Sequence, residues 1–393
     1  LYDLRCESIS QPVGIQTRSP RLSWKFRSEL TSVKQTAYRI EVASSTEKLA
    51  ANEADLWDSE RIQSEQSHLV CYEGSPLSSR MIAHWRITIW TNHIECATSP
   101  FAYWEMGLLE VSDWSANWIN AATLSPNDDP IVLDWCEKVV YRPISDGGYE
   151  RERKLDKLAI EKRDERIKTV KSAEPATFLR KAFLIQKPVA KARLYSAALG
   201  YSELILDGEK LDDRVLDPAQ TDYEIRALYT IDCLDQKLPE GEHELRIHLS
   251  EGWYGQSHGF FDPLFRYGKP LALAQLEIEY TDGSRDTIAT DSQWQAAPSQ
   301  ICKANLYTGE VFDARLTEAD LNWGPVAGPD SEQPLPVRLE AQLLPATRKV
   351  DQVTAKSIIE TEPGTYVVDM GINFAGWVAL TIEAPRGTVI DLT

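Results

Sequence analysis

The chain has 393 residues, of which 60 are acidic and 42 are Lys or Arg, giving a formal net charge of −18 at pH 7. Nucleic acids and anionic membrane surfaces repel such a charge, so neither is an expected partner. No apolar run approaches the ~20 residues of a membrane-spanning helix, and the length suffices for about two to four domains.

The six cysteines are scattered along the chain, with no C-x-x-C pair and no regular spacing. This pattern indicates neither a zinc site nor a disulfide framework, and we expect reduced thiols packed in cores. The chain begins at Leu1 rather than Met, so we expect a processed or truncated product.

Residues 1–108 predict an all-β domain. Apolar and polar side chains alternate over residues 36–43 and again over residues 83–90, which is the period of a half-buried strand. Turn residues separate the strand signals, which recur about every 8–12 residues as in sandwiches. We predict a seven-stranded, fibronectin type III-like sandwich.

Residues 109–176 are a predicted linker. It opens as a strand with Trp114 and Trp118 and continues into a charge-dense insertion at residues 146–172. Opposite charges four residues apart support a solvent-exposed helix, and the apolar stripe is thin. We therefore predict a helical insertion with a solvated charged face, a binding patch being the alternative.

Residues 177–324 predict a second all-β domain, a jelly-roll sandwich, because hairpin signals repeat and helical ones are few. Two hairpin signals are the Asp-Gly pairs at 207–208 and 282–283, where both turn positions require positive φ. The first leads into an Asp-rich segment, residues 211–223, which we call the acidic loop. Binding residues concentrate in such loops on β scaffolds.

A Pro- and Gly-rich stretch, residues 324–336, indicates a boundary. After it, residues 337–393 predict the start of a further β-sandwich domain whose strands stop at the end of the sequence. We therefore expect a fragment of a longer protein. The predicted fold class is all-β: tandem sandwiches with one charged helical insertion.

Three motifs raise the question of catalysis, and none supports it. Residues 255–259 match G-x-S-x-G, but a nucleophile elbow requires a helix after the turn, and Pro263 follows instead. His243 and Glu244 resemble the start of H-E-x-x-H, but Ile247 occupies the second histidine position. Paired carboxylates can hydrolyse glycosides, yet sixty acidic residues make their spacing uninformative. We predict no catalytic residue in this chain.

Sugar recognition remains as a hypothesis. Trp253 and Tyr254 lie in a Gly-flanked loop after a strand, where aromatic rings can stack on a pyranose; for Trp253, packing beneath the loop is the alternative. Arg315 and its acidic neighbours can bind vicinal hydroxyls, or the arginine can form an internal ion pair. The candidate residues are Trp253, Tyr254, Asp213, Asp222, Tyr223, Glu310, Asp313 and Arg315.

A series of segments stands in a fixed order along the chain: PRLSWKF, QTAYRIEVASS, DLWDSERIQSEQS, EMGLLEVSDWSANWI, LGYSELILDGEKLDDRVLDPAQTDY, EGWYGQSHGF, LYTGEVFDAR and VVDMGINFAGWV. As a series they resemble the N-terminal, non-catalytic region of bacterial α-L-rhamnosidases, glycoside hydrolase family 78. The resemblance covers the chain almost from end to end.

This resemblance implies that the intact enzyme hydrolyses terminal α-L-rhamnose with inversion, using an (α/α)6 barrel that is absent here. It implies no organic cofactor, and two partners: a rhamnose-containing glycan and the protein's own catalytic domain. A purely structural scaffold and a free-standing lectin-like binder are the alternatives. A secreted or periplasmic location is expected for a polysaccharide-degrading enzyme.

The resemblance also implies that residues 177–324 form a carbohydrate-binding-type jelly roll, which depends on calcium in some members. Calcium takes six to eight oxygen ligands, and the D-x-[DN]-x-[DN]-G pattern is absent, so calcium stays possible and the metal is left open. The carboxylates considered for it are Asp212, Asp213, Asp217, Asp222 and Asp262.

Overall fold

The computed structural model describes residues 1–93, 96–122, 137–143, 149–155, 175–255, 267–306, 309–330, 333 and 335–392, the backbone alone for 137–143 and 149–155. Over this part of the chain the structure is built from strands, with one short helix, and the all-β prediction is confirmed. Among the described residues, no helix has the length and apolar character needed to cross a bilayer.

The first sandwich is formed by residues 2–106. A three-stranded sheet of order β1-β3-β7 faces a sheet of order β2-β10-β8-β4-β5, with β6 on β4 and β9 on β8. The elements are β1 Tyr2–Cys6, β2 Val13–Ile15, β3 Arg21–Lys25, β4 Gln35–Ala43, α1 Thr46–Ala50, β5 Trp57–Asp58, β6 Ile62–Gln63, β7 Val70–Cys71, β8 Ile82–Thr91, β9 Cys96–Thr98 and β10 Ala102–Met106.

The alternation seen in the sequence selects the buried face of these strands. In β8 the side chains of Ala83, Trp85, Ile87 and Ile89 are buried, and the residues between them are partly exposed. Trp104 of β10 packs into the same core. Three of the described strands in this sandwich, β5, β6 and β7, have only two residues each, which is too short for alternation to show in the sequence.

The linker contains a 3-10 helix at Val111–Asp113, the short strand β11 Asn120–Ala121, and two strands, β12 Glu137–Pro143 and β13 Tyr149–Leu155. β12 and β13 pair with each other in antiparallel register. The predicted helix is therefore wrong over Tyr149–Leu155, because the backbone there is extended and bonds across to β12. The rest of the predicted insertion lies outside the described residues.

The second sandwich packs a sheet of order β11-β25-β22-β14-β19-β16-β17 against a sheet of order β21-β20-β15-β18-β26. Its core includes Leu179, Ile247, Leu276 and Trp294. The elements are β14 Thr177–Ile185, β15 Val189–Leu199, β16 Tyr201–Leu206, β17 Glu209–Lys210, β18 Arg226–Cys233, β19 Gly241–Ser250, β20 Leu271–Tyr280, β21 Arg285–Ala289, β22 Gln295–Pro298, β23 Ile301–Asn305, β24 Gly309–Phe312, a 3-10 helix Glu318–Asp320, β25 Gly324–Ala327 and β26 Arg338–Ala341.

Both Asp-Gly pairs lie in hairpin turns as predicted, but only the first pair has positive φ at both turn positions. Asp207 and Gly208 have φ of 52° and 84° and join β16 to β17. Gly283 has φ of 81° in the turn between β20 and β21. The strand position of His243 and Ile247 in β19 confirms that this segment is no H-E-x-x-H helix.

The last described pair of strands is the hairpin β27 Ser357–Glu362 and β28 Thr365–Asp369. Residues 338–348, which we call the strap, precede this hairpin. The strap begins as β26, which adds to β18 in parallel register at the edge of the five-stranded sheet. The domain boundaries predicted from the sequence stay a prediction.

A buried ion cluster joins the two sandwiches. Glu105 of β10 has 1% of its surface exposed. Its carboxylate accepts hydrogen bonds from Arg193 Nη2 at 3.0 Å and forms an ion pair with Lys191 Nζ at 2.8 Å. Arg193 Nη1 also donates to Asp235 Oδ1 at 2.6 Å. A carboxylate removed from water requires such partners, so this contact fixes how β10 meets β15.

Further contacts extend this interface. The backbone N–H of Leu108 donates to the hydroxyl of Tyr229 at 2.9 Å, and the ring of Trp114 meets that tyrosine edge-on at 5.2 Å. Arg80 bridges the two bodies by binding Asp113 at 2.8 Å and Glu277 at 2.6 Å. The sandwiches therefore contact each other through specific hydrogen bonds as well as apolar packing.

We expect Arg193→Met to lower the free energy of unfolding by ~3 kcal/mol, because removing one partner leaves a buried carboxylate undercompensated. Denaturant unfolding measures the change. Arg285→Met is the matched control, since Arg285 pairs with Glu279 at the surface with 73% of its side chain exposed, and exposed pairs contribute at most ~1 kcal/mol. Equal losses in the two variants would contradict a structural role for the cluster.

We also expect Gly107→Ala to lower the free energy of unfolding by ~1–3 kcal/mol through overpacking. A Cβ at this position would lie 2.4 Å from the buried Tyr229 hydroxyl. The double variant Gly107→Ala/Tyr229→Phe should lose less than the sum of the two single changes. Gly324→Ala is the control, because a Cβ there meets no described atom within 4 Å. If the losses of stability in the two single variants add up to that of the double variant, Gly107 and Tyr229 are not in this close contact.

Candidate functional site

The acidic loop closes a small polar pocket at one end of the second sandwich. The hairpin β16–β17 leads into the loop, and Ser196 of β15 and Thr230 of β18 form the floor, with their hydroxyl oxygens 3.0 Å apart. The residues that line the pocket are Ser196, Ser202, Glu203, Leu204, Lys210, Asp212, Arg214, Asp217, Pro218 and Thr230.

The guanidinium of Arg214 lies at the centre of the loop, among three carboxylates. Its Nη2 donates to both oxygens of Asp232, at 2.9 and 2.7 Å. Its Nε forms an ion pair with Asp212 and lies 3.7 Å from Asp217. One cation among three carboxylates leaves this cluster with an excess of negative charge.

Burial raises the pKa of Asp217 and also that of Asp232. At Asp217 the hydrogen bond from Gln342 and then the charge of Arg214 oppose the rise, and at Asp232 the charge of Arg214 opposes it. The neighbouring carboxylate of Asp212 raises both pKa values further. Burial disfavours the ionised form of an acid, and so do like charges close by. The cluster therefore takes up protons more readily than carboxyls in water.

The pocket is too small for a sugar ring. The space between its walls is about what a single water molecule needs. Among the described residues, no group of three or more His, Cys, Asp or Glu is arranged to hold a metal ion. Arg214 supplies the positive charge beside Asp212 and Asp217, two of the carboxylates that were considered for calcium. Asp262 lies outside the described residues, and the question of a metal stays open.

The candidate aromatic residues come together in one cluster. Tyr254 is fully buried and Tyr223 is 3% exposed. Their rings meet edge-on at 5.3 Å, and Tyr267 stacks on Tyr254 at 5.6 Å. Rings buried in this way act as packing residues, and the packing alternative had been considered for Trp253 alone. The hydroxyl of Tyr223 has no hydrogen-bond partner among the described residues.

Trp253 differs from its neighbours because it stays partly exposed at the edge of that cluster. Its indole hydrogen-bonds the hydroxyl of Tyr201; burial raises the pKa of that tyrosine, and the hydrogen bond from the indole partly opposes the rise. Indole N–H groups only donate, so the ring is held in a defined orientation. Residues 256–259 of the G-x-S-x-G match lie outside the described residues.

The remaining candidates lie in other places. Arg315 donates from Nη2 and Nε to Asp313, at 2.7 and 2.9 Å, forming the internal pair considered as its structural alternative. Glu310 is exposed on β24, where partial burial of its carboxyl, followed by the charge of Glu203, raises its pKa. The side chain of Glu310 is accessible to solvent.

The two acidic candidates of the loop have structural partners. Asp213 forms an ion pair with Arg348 of the strap. Asp222 accepts at Oδ1 from the N–H of Glu224 at 3.2 Å, and its carbonyl accepts from the N–H of Arg226 at 2.9 Å. The predicted carbohydrate-binding set therefore divides among several locations, and its binding role stays a prediction.

Three residues that organise this end of the sandwich were not predicted from the sequence: Arg214, Asp232 and Gln342. Arg214 stands directly after two aspartates and was overlooked beside them. Gln342 is 125 residues from its partner Asp217, and nothing in its local sequence indicates the contact. Gln342 directly follows β26 and is polar between Ala341 and Leu343, and this was the available signal.

Three family models match the chain. One describes a Rha78A-like, N-terminal immunoglobulin domain and matches residues 1–110. The second describes the α-L-rhamnosidase N-terminal domain and matches residues 187–348. The third describes the bacterial α-L-rhamnosidase concanavalin-like domain and matches residues 359–393.

Curated proteins and solved structures agree with these matches. An α-L-rhamnosidase of Formosa agariphila is 31% identical over 98% of this chain, and one of Streptomyces avermitilis is 27% identical over 98%. The structure of an α-L-rhamnosidase from Dictyoglumus thermophilum is 28% identical and aligns over 94% of this chain with a TM-score of 0.73. That of the Streptomyces avermitilis enzyme complexed with L-rhamnose is 25% identical and aligns over 94% with a TM-score of 0.76.

The chain spans 39% of the Formosa agariphila protein and 50% of the Streptomyces avermitilis protein. It likewise covers 38% and 48% of the two solved chains. Because all three family models lie in the order expected and the relatives align over almost the whole chain, the chain carries the N-terminal domains of the bacterial α-L-rhamnosidase family.

Proposed function

We propose that this chain is the accessory region of an enzyme that hydrolyses terminal α-L-rhamnose of glycans or glycosides. In this proposal the chain carries no catalytic residue and supports the (α/α)6 catalytic barrel of the same protein. The partners are that barrel and a rhamnose-containing glycan. We place the enzyme outside the cytoplasm, secreted or periplasmic, which fractionation of the native host would test.

The observation that carries the proposal is the apolar surface of residues 366–392. This surface has few packing partners among the described residues, and its large apolar side chains face solvent. Contiguous exposed apolar surface marks an interaction site in soluble proteins. The exposed residues are Tyr366, Val368, Ile372, Phe374, Trp377, Val378, Leu380, Ile382, Val389, Ile390 and Leu392. Residues 359–393 match the concanavalin-like domain model, and in this proposal the apolar surface packs within that domain and connects the chain to the catalytic barrel through it.

The joint between the sandwiches also supports this proposal. Glu105, Arg193 and Tyr229 hold the first two bodies in one relative orientation. A region that positions another domain must itself be rigid, because motion between its own domains displaces the domain that it positions. A free-standing lectin has no need of this rigidity.

Carbohydrate binding by the second sandwich is the second candidate function. Its supporting observation is Trp253, whose partly exposed indole is oriented by Tyr201 beside the buried tyrosines. An indole fixed in this way can stack on the C–H face of a pyranose. A purely structural scaffold without any ligand is the alternative.

The docking surface is tested with Phe374→Ser/Trp377→Ser. We expect the wild-type chain to enhance the fluorescence of a hydrophobic dye, and the double variant to lose much of that signal with an almost unchanged unfolding midpoint, because both side chains are about half exposed. Phe101→Ser is the control, since Phe101 is 41% exposed on the first sandwich. An unchanged dye signal in the double variant would contradict the assigned apolar surface. Turnover of an aryl α-L-rhamnoside by this chain alone would contradict the accessory role.

The sugar hypothesis is tested by titrating the chain with L-rhamnose in a calorimeter, with calcium and again with chelator. If Trp253 binds sugar, Trp253→Ala abolishes the heat and leaves the melting temperature nearly unchanged. If the indole only packs, the titration is flat and the variant loses stability, up to ~3–5 kcal/mol for a buried tryptophan. Saturation only with calcium would assign a metal to the site, and flat traces in both solutions would reject the binding hypothesis.

A further inference from the structure

His243 stands at the start of β19, on the face of the strand that builds the core. The next residues on this face are Leu245 and Ile247, and all three side chains are buried. A titratable ring in a row of aliphatic side chains requires hydrogen-bond partners, because burying a polar group without them costs free energy. The partners that the structure provides therefore decide the protonation state of this ring.

Both ring nitrogens of His243 face an acceptor. Nδ1 lies 2.7 Å from Asp207 Oδ2, and Nε2 lies 2.7 Å from the carbonyl oxygen of Pro239. An ionised carboxylate and a carbonyl only accept hydrogen bonds, and a neutral imidazole has one N–H to donate. Two such contacts require two N–H donors, so the geometry fits the imidazolium and neither neutral tautomer.

The groups around the ring come from every neighbouring element. The turn between β16 and β17 supplies Asp207, whose second oxygen accepts from the backbone N–H of Glu244 at 2.8 Å. β14 supplies the uncharged ring of Phe183, which stacks on the imidazole with ring centroids 5.6 Å apart. Glu242 and Glu244 flank His243 on β19, and neighbouring side chains of a strand point to opposite faces. Of the charged groups in the described part of the chain, a single carboxylate therefore contacts the ring.

The ring joins two segments at one end of the second sandwich. The first is the Asp207–Gly208 turn, which leads through β17 into the acidic loop. The second is residues 234–240 between β18 and β19, which we call the connection, and its Leu238 is buried in the core. Lys237 Nζ donates to the carbonyl of Leu211, at the start of the acidic loop, at 2.9 Å. Contacts that hold the connection therefore also hold the start of that loop.

We propose that His243 works as a proton-dependent clasp: as an imidazolium it fastens the connection to the Asp207–Gly208 turn, and when it loses a proton it releases the connection. A neutral ring that keeps its N–H on the carboxylate turns a lone pair towards the carbonyl oxygen of Pro239, and two acceptors at 2.7 Å repel each other. The connection then moves away from the ring, and the start of the acidic loop is held less firmly. This proposal is independent of the proposed function.

The direction of the pH dependence follows from these contacts. Burial lowers the pKa of His243, but the hydrogen bond to Pro239, followed by the hydrogen bond and the charge of Asp207, outweighs burial, and the pKa lies above its usual value of 6.5. The closed clasp therefore binds this proton more tightly than an open one. Its contribution is fully present below about pH 6.5 and is lost as the pH rises through the raised pKa.

His248, on the opposite face of the same strand, provides an internal contrast. Its Nε2 lies 2.9 Å from the hydroxyl oxygen of Ser299, and its ring stacks on Phe178 with centroids 4.3 Å apart. A hydroxyl can donate as well as accept, so this contact suits a neutral imidazole. Burial lowers the pKa of His248 to about 4. We therefore expect β19 to carry one charged and one neutral histidine at pH 7.

NMR of the whole 393-residue chain, with its six histidines labelled with ¹³C, tests the protonation state. We expect one imidazole, identified by its loss in His243→Gln, to be charged at pH 7 and to titrate above pH 6.5. Asp207→Asn should lower that midpoint, because asparagine also accepts the positive φ of the turn but carries no charge to favour the imidazolium. The resonance of His248 should stay that of a neutral ring at pH 7.

Hydrogen exchange of the same chain tests the release. Amide protection is compared between about pH 6 and pH 9, after correction for intrinsic rates, in peptides from residues 206–211 and 234–243. We expect both to lose protection together as the pH rises, at least about threefold, since half a unit of pKa difference is about threefold in the opening equilibrium. Peptides from β20 serve as the internal reference.

His243→Gln separates the charge from the hydrogen bond. The glutamine amide can donate to one of the two acceptors but cannot titrate, so both segments should keep a low protection that no longer depends on pH. His68→Gln is the matched control, because His68 is exposed on the first sandwich. It should leave the pH profile of both segments unchanged.

Three results would overturn the proposal. The first is a His243 ring that is neutral at pH 7, and the second is a midpoint that Asp207→Asn leaves unchanged. The third is protection of the two segments that does not fall between about pH 6 and pH 9 after correction. If His243→Gln does not fold, its resonance is assigned by substituting the other histidines one at a time, and the wild-type and Asp207→Asn titrations decide.

Discussion

The contact between Glu105 and the cations of β15 determines the arrangement of the whole platform. A carboxylate with almost no exposed surface is tolerated only when its partners are in place, because removing the charge from water costs several kcal/mol. Arg193 and Lys191 can meet this need in one relative position of the two sandwiches. Because that position is fixed, hydrogen bonds can form across the interface from the linker residues, Tyr229 and the strap.

Local patterns in the sequence predicted the strands and turns well where one face is buried. The alternation in β8 and the two Asp-Gly turns are determined by neighbours in the chain, so they are visible there. The charged segment Tyr149–Leu155 was assigned wrongly because mixed charges suit a solvated helix or an exposed strand equally. What decides between them is β12, a pairing partner that no local pattern reveals.

The candidate site was harder to predict, since composition does not show whether a side chain faces water. Tyr223 ends the acidic loop and Tyr254 lies in the Gly-flanked loop after β19, yet the structure packs them together in the interior. The aspartates of the loop suggested ligands for a cation, and the chain itself provides that cation in Arg214. Contacts with the strap join residues more than a hundred positions apart, so only the fold shows them.

The strap also has a consequence for the order of events during synthesis. The bond between Gln16 and Ala341 spans 325 positions, and Leu343 covers part of a core whose other members lie near the N-terminus. During synthesis, most of the chain must therefore be made before Leu343 can pack against the first sandwich. Such long-range closure slows folding and leaves apolar surface uncovered in the meantime. The nascent chain is thus most in need of chaperones just before the strap emerges.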